Sequence, residues 1–296
     1  MKGILLVDKP GGMTSHDVVD RLRKATGIRR IGHTGTLDPA ATGLLILCVG
    51  KATRLSEHLT GLDKVYEGKM RLGVVTDSHD ADGTVVEERE VPTLTIEEIQ
   101  TACDQFAGEI EQVPPMVSAV RVGGERLYKR ARKGETVERK PRRVNVRRFE
   151  VQRYEAPVAE VLVECTSGTY VRSLCHDAGA VLGCGAILAS LRRTRVGRHD
   201  VADAQPLDAL ETADAVREHL LPMGQALDLP AVVVKAGRKS IVATGGTLST
   251  PDLTEPCRMH EGWVQIKDDR GELLALGETE PSAMGALVHP RRVFEA

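Results

Sequence analysis

One carboxylate is set apart by its surroundings. Asp38 is the only acidic residue between Asp20 and Glu57, and it lies in Gly32-His33-Thr34-Gly35-Thr36-Leu37-Asp38-Pro39-Ala40-Ala41-Thr42-Gly43. Pro39 disfavours the right-handed helical region for Asp38 and pushes it towards an extended or turn conformation. Three glycines let another backbone approach closely, or let the chain take positive φ. The loop runs into Leu44-Leu45-Ile46-Leu47-Cys48-Val49, a run with the length and composition of a buried strand. A carboxylate on a rigid loop at the mouth of a buried strand is a candidate nucleophile or base. The same residues also suit a simple Asx turn.

Further candidates come from the scarcity of rings. The chain has one Trp, four Tyr and three Phe in 296 residues, so its core must be aliphatic and each aromatic carries more weight as a site residue. Tyr66 follows Asp63-Lys64-Val65 and opens the alternating run Tyr66–Leu72, which reads as a strand. Val158–Cys165 reads as another strand. Ser167-Gly168-Thr169-Tyr170-Val171-Arg172-Ser173-Leu174 then leads into a helix to about Leu182. Leu188–Arg195 reads LASLRRTR, and Arg192, Arg193, Arg195 and Arg198 form a basic cluster. Cys175-His176 is not a nucleophile–base pair, because adjacent side chains on a helix point apart. Thr76–Gly83 reads TDSHDADG, but a calcium-loop register puts Arg89 where a bidentate Glu is required, so it reads as a polar turn.

These residues need a frame. Gly3–Val7 reads as a strand stopped by Asp8-Lys9-Pro10-Gly11-Gly12. Thr14 and Ser15 are N-cap candidates for a helix from about His16 to Ala25, with Gly27 at its end. Ala52–Leu59 reads as a short helix, and Pro92–Phe106 carries a longer helical pattern. Val201–Leu220 looks helical in part, with Asp203 and Asp208 as cap candidates. Beyond Leu221-Pro222 and Leu229-Pro230 come short β-type runs, Ala231–Val234, Trp263–Lys267 and Leu273–Gly277, separated by Gly/Asp turns.

The net charge of −2 conceals a separation. Residues 77–111 hold eleven Asp/Glu against one Arg, whereas residues 121–148 hold twelve Lys/Arg against three Glu. Twelve cations that close repel unless something anionic neutralises them, which points to a polyanion. The six cysteines form no CxxC pair, no apolar run reaches spanning length, and no signal peptide is evident. A reduced, cytoplasmic protein without a membrane association is expected. No GxGxxG follows a strand, and there is neither a Walker lysine loop nor an HExxH, so neither cofactor nor metal is expected.

The loop around Asp38 resembles the signature G-H-x-G-T-L-D-P-x-A-x-G of the TruB family of pseudouridine synthases, unbroken over its twelve positions. Four more stretches resemble the same family: D-K-P-x-G-x-T-S at Asp8–Ser15, K-x-Y at Lys64–Tyr66, S-G-T-Y-V-R-S-L at Ser167–Leu174, and L-x-x-L-R-R-T at Leu188–Thr194. So does Pro114-Pro115-Met116-Val117-Ser118-Ala119 with the basic stretch after it, including Tyr128. The ending Val288–Phe294 resembles, less sharply, a C-terminal RNA-binding appendage.

The resemblance implies an α+β fold: a mixed-sheet catalytic domain over 1–228, an RNA-clamping basic insertion at about 114–148, and a small PUA-like β-barrel over 229–296. It implies conversion of uridine to pseudouridine at position 55 of the tRNA T loop, with Asp38 as the catalytic residue. Arg172 would pair with Asp38, and Tyr66 would stack on the base as a candidate proton acceptor. Tyr170 would line the pocket, Leu191 would border it, and His33 would attend the space left by an extruded base. Asp80 would help to frame the site. The partner would be the tRNA T stem-loop, with no obligate protein partner. Two other readings are an RNA-binding or tRNA-folding protein without catalysis, and an aspartate-dependent glycosyl-transfer enzyme on a small substrate. Mere binding needs none of Asp38, Tyr66 and Arg172, and a small neutral substrate needs no long basic segment.

Overall fold

The computed structural model describes residues 1–116, 121–122, 125–126, 137–257, 261–282 and 285–294. In chain order these form β1 (Gly3–Lys9), α1 (Ser15–Thr26), β2 (Ile31–His33), β3 (Thr42–Val49), α2 (Ser56–Gly61), β4 (Lys64–Leu72), β5 (Val74–Thr76), β6 (Val85–Glu88), α3 (Ile96–Asp104) and β7 (Gly108–Gln112). Next come β8 (Arg121–Val122), β9 (Glu125–Arg126), β10 (Arg142–Glu155), β11 (Val158–Cys165), α4 (Val171–Val181), β12 (Ala186–Val196), β13 (His199–Asp200), β14 (Gln205–Pro206) and α5 (Ala213–Glu218). The chain finishes with β15 (Ala231–Val233), α6 (Lys239–Ala243), β16 (Gly262–Lys267), β17 (Leu273–Ser282) and β18 (Gly285–Val293).

The main sheet runs β14-β1-β3-β12-β4-β11-β10-β7, with β2 beside β3 and β13 beside β12. It is mixed: β1–β14 and β12–β3 are parallel and the other pairs antiparallel. β3 is buried over Gly43–Val49, as a strand with helices and loops on both faces must be. β4 alternates buried and exposed residues instead, so one of its faces is open.

Local chemistry explains the element ends. Thr14 caps α1 in a capping box with Asp17, and Gly27 closes it in the left-handed region at φ 71°. Ser15 is therefore not needed as the cap, and its hydroxyl exchanges hydrogen bonds with the Leu37 backbone instead. The stretch Ala52–Leu59 divides into a 3-10 turn, Gly50–Leu55, and α2. In Val201–Leu220 the caps are Asp200 and Thr212 rather than Asp203 and Asp208. Both of the latter lie inside 3-10 turns. The basic stretch does not stay outside the sheet, because Arg142–Arg148 opens the fourteen-residue β10.

After residue 228, β15-β16-β17-β18 form a small β unit with its own core, including Val264, Ile266, Leu274 and Val288. Phe294, Leu273 and Leu276 leave that core and pack with Ile4, Leu6 and Ile46 of the main sheet. The α2 helix meets the same unit: the Trp263 ring stands edge-on to His58 at 4.5 Å, and Arg292 pairs with Glu57 at 3.2 Å.

Gly43 is the tightest joint. Its φ is +99°, and a Cβ there would lie 2.3 Å from the Arg193 carbonyl oxygen of β12. Gly43→Ala is therefore expected to lower the unfolding free energy by ~2–4 kcal/mol, combining strain and overpacking. Gly12→Ala, at φ +82° with open space beyond, is expected to cost only ~1–2 kcal/mol. Urea melts of the two variants check the difference.

Candidate functional site

Four segments meet where β3, β12 and β4 lie side by side. The first is the loop from β2 to β3, which carries Asp38. Its backbone is tied down by Ser15 at Leu37, by the Gly12 amide donating to the Pro39 carbonyl at 2.9 Å, and by the Thr34 amide donating to Ile46 at 3.0 Å. Lys9 does more. It is fully buried, and its ammonium donates to the carbonyls of Pro10 (2.8 Å), Met13 (2.7 Å) and Pro39 (3.1 Å). One cation thus sews the turn after β1 to the residue following Asp38. Burial lowers its pKa to about 8, with Asp38 and Asp17 pulling the other way.

The second segment is the start of α4. Gln112 of β7 exchanges two hydrogen bonds with the Tyr170 backbone, at 2.7 and 3.0 Å, and so fixes the entry of the helix. One residue into α4, Arg172 is buried and faces two carboxylates: Nη1 donates to Asp80 at 2.9 Å, and Nη2 lies 3.5 Å from Asp38. Its guanidinium carbon sits 5.8 Å from the centre of the Tyr170 ring. The third segment, residues 76–84, brings Asp80 into place, where the Ser78 hydroxyl and the Asp82 amide also donate to its carboxylate. The loop docks on β12 through Leu188, whose amide donates to the His79 carbonyl while its own carbonyl accepts from Ala81.

The fourth segment is the β12–β4 pair, where Tyr66 lies opposite Arg193. Burial raises the Tyr66 phenol above its ordinary value, against the opposing influence of the Arg193 guanidinium. Arg193 is itself buried and donates to the Leu44 carbonyl at 2.7 Å and the Gly35 carbonyl at 3.1 Å. The expected basic cluster is divided: Arg193 is buried, Arg192 is half-buried, and Arg195 and Arg198 are exposed. Arg192 forms a bidentate pair with Asp8 at 2.8 and 3.0 Å, and Arg195 pairs with Glu164 at 3.2 Å.

Between the segments lies a cavity of about 240 Å³. Asp38, Tyr66, Tyr170, Arg172 and Leu191 all line it. His33 is not among the lining residues; it ends β2, half-buried, opposite Leu47. Tyr128 and Pro114–Ala119 beyond Met116 lie outside the described residues. Sequence reasoning placed Lys9, Lys64 and Arg193 within its motifs but gave them no part in the site. Strand pattern alone does not mark Arg193: β12 also carries Arg192, Thr194 and Arg195, and its pairing with β4 shifts register between Arg193 and Arg195, so Arg193 is buried while Arg195 is exposed.

Asp38 keeps about half of its side-chain surface open, at 48%, towards the cavity. Even so, desolvation is the largest influence on it and raises its pKa. Arg172 and Lys9 oppose the rise, while Asp80 and Asp82 reinforce it. A carboxylate whose folded pKa is raised opposes folding when ionised. That cost is fully present above the folded pKa and disappears as pH falls towards the unfolded value. Asp38→Asn is therefore expected to melt at or above the wild-type temperature at pH 7, with the advantage vanishing near pH 3.5. A melting series across that range checks it.

Comparison with known proteins adds the following. Residues 23–171 match the family described as TruB family pseudouridylate synthase, N-terminal domain. Residues 172–228 match the tRNA pseudouridylate synthase B C-terminal domain. A tRNA pseudouridine synthase B from Opitutus terrae is 52% identical over 79% of this chain and 97% of its own. Another, from Mycobacterium sp. strain KMS, is 51% identical over 97% of this chain and 95% of its own. Among solved structures, a chain of an H/ACA RNP bound to a substrate RNA containing 2′-deoxyuridine superposes with a TM-score of 0.76. It is 27% identical, over 99% of this chain and 85% of that one. A chain of a Cbf5-Nop10-Gar1 complex gives 0.74 at 28% identity, over 99% and 84%.

Proposed function

The chain belongs to the TruB family of pseudouridine synthases, and from that premise we propose that it isomerises uridine 55 in the T loop of tRNA, with Asp38 acting on an extruded nucleotide. The observation that carries this reading is the single cavity shared by Asp38, Arg172, Tyr66, Tyr170 and Leu191. At about 240 Å³ it is small; it fits one planar ring better than a drug-sized ligand.

The reaction breaks the bond between the ribose C1′ and uracil N1, turns the base, and joins C1′ to uracil C5. The C5 proton is lost, N1 gains one, and nothing is consumed. Breaking the first bond puts positive character on the sugar. Asp38 either attacks C1′ or removes the 2′ proton to give a glycal-like intermediate. Both need the ionised carboxylate, which burial opposes and the Arg172 guanidinium favours. Tyr66, held as a neutral phenol, offers a ring face to the base, and Leu191 borders it. A base stacked in folded RNA must be swung out before it reaches Asp38, at a cost of a few kcal/mol. His33 at the loop's start is our candidate for the vacated space.

Twelve Lys/Arg in residues 121–148 support a long polyanionic partner. The stretch at about 114–148 is our RNA clamp, and residues 229–296 are our PUA-like RNA-binding unit. We read the catalytic unit as 1–228 and the enzyme as cytoplasmic and self-sufficient. No helix among the described residues is long and apolar enough to cross a membrane.

Incubation of T-stem-loop RNA with wild type is expected to give pseudouridine, mapped chemically, whereas Asp38→Asn binds the RNA without converting it. Arg172→Lys keeps the charge but loses the fork that reaches two carboxylates, and is expected to lower kcat by ~10²-fold. Wild-type binding without conversion would favour a folding protein; release of free uracil would favour glycosyl transfer. Wild-type turnover by Asp38→Asn would end the proposal.

A further inference from the structure

Arg172 and His176 stand four residues apart on α4 and therefore share one helical face. His79 and Asp80 are neighbours on the loop that docks there. The two sets meet as two adjacent rungs. Arg172 pairs with Asp80 at 2.9 Å, and the imidazoles of His79 and His176 stack with centroids 3.8 Å apart and planes within 2°. His79 adopts φ +66°, and among the described residues it alone of the non-glycine residues has a positive φ. A strained residue of this kind persists only where its surroundings over-determine it. Here the surroundings are the Leu188 amide on its carbonyl, its own amide donating to Thr76 at 3.3 Å, and the His176 ring on its side chain.

We propose that the His79–His176 stack is a positioning element for the reaction: it clasps the 76–84 loop to α4 and so sets where Asp80 holds the Arg172 guanidinium relative to Asp38. This rests on the isomerase reading above. Neither imidazole lines the cavity, so both act through Arg172 and neither touches substrate. The clasp is needed because Arg172 must divide itself between two carboxylates. A shift of the loop away from α4 frees the guanidinium to swing towards Asp38 and to alter the geometry at the attacking oxygen. Misplacement by about 1 Å is enough to change a rate by up to ~10²-fold.

The stack also carries a pH signature. Around His79 stand His176, Arg172 and Arg139 as cations or potential cations, with the Asp80 carboxylate opposing them. Burial, followed by those cations, lowers its pKa to about 4. The folded state therefore rejects a proton that the unfolded chain accepts. The stability this gives is full above about 6.5 and is lost as pH falls towards about 4.

The test uses four full-length variants: His79→Asn, His176→Ala, the double variant, and His176→Phe. Asn accepts the left-handed backbone, and Phe keeps an aromatic face while removing the titrating group. Single-turnover and steady-state conversion of T-stem-loop RNA are read at pH 5.5 to 8.5, with melting temperatures over pH 4 to 8. Each of the first two variants is expected to lower kcat by about tenfold with KM within about twofold, and the double variant is expected to be no worse than either. His176→Phe is expected to keep near wild-type kcat at pH 7.5. His79→Asn is expected to flatten the fall in melting temperature between pH 6.5 and 4. Wild-type kcat in both single variants, multiplicative losses in the double variant, or failure of Phe where Ala also fails overturns the clasp while leaving the isomerase reading intact. Absence of conversion by wild type overturns both.

Discussion

A guanidinium buried beneath a cavity is the constraint from which the rest of the site follows. Taking Arg172 out of water costs several kcal/mol unless its donors find acceptors, and a carboxylate is the strongest acceptor available. Two are supplied, and they are unequal. Asp80 is the closer at 2.9 Å and is itself held by Ser78 and the Asp82 amide. Asp38 stands at 3.5 Å with half of its surface open. Asp80 therefore satisfies the buried cation, while Asp38 is only partly neutralised and its carboxyl stays raised by burial. A carboxylate fully paired with Arg172 would be content and inert. A single Asp–Arg pair could not both stabilise the arginine and leave the aspartate available, so the site uses a second acid that the Asp38 loop does not contain.

The rim is held by the same physics used differently. Lys9, Lys64 and Arg193 are each buried, and each donates to backbone carbonyls: Lys9 to Pro10, Met13 and Pro39, Lys64 to Thr60 and Leu62, Arg193 to Leu44 and Gly35. Turns that converge on a cavity leave carbonyls without ladder partners, and these must be satisfied. A long cationic side chain reaches several at once. Burial lowers both lysines to about 8. These three cations are held by backbone carbonyls, whereas Arg172 faces two carboxylates.

How much of this was legible in the sequence depends on whether a signal was local. The Thr14 cap, Gly27, the buried run Leu44–Val49 and the strand Val158–Cys165 rest on neighbours in the chain, and they were readable. The family resemblance rested on linear motifs and was correct. What composition misjudged was charge. Arg192, Arg193 and Arg195 read as one basic cluster as a string, but Arg193 is buried on the Gly35 and Leu44 carbonyls, Arg192 is half-buried on Asp8, and Arg195 stays exposed beside Glu164. Likewise the residues of Thr76–Gly83 read by themselves as a polar turn, and only the family resemblance pointed to Asp80, because its contact with Arg172 spans 92 positions of sequence. Contacts of that range leave no periodic trace. Arg142–Arg148 misled for a related reason: a run of like charges hides a strand whose inward residues, Val144 and Val146, are few and spaced two apart.

The C-terminal β unit enters the argument through α2, a helix of only six residues. Its outer side is occupied by that unit, with His58 against Trp263 and Glu57 against Arg292. The preceding turn adds the Arg54 guanidinium on the Val293 carbonyl. Burial lowers the His58 pKa, so the contact favours a neutral ring packed on indole over a charged one. The other end of α2 meets the cavity: Thr60 lines it, and the Thr60 carbonyl is fixed by Lys64, two residues before Tyr66. A helix this short has little stability of its own, because its few internal bonds barely offset the cost of nucleation. Its position is therefore set by what grips it from both sides. The packing of the β unit and the shape of the cavity rim are thus joined through one turn of backbone, and that makes the C-terminal unit part of the frame around Tyr66.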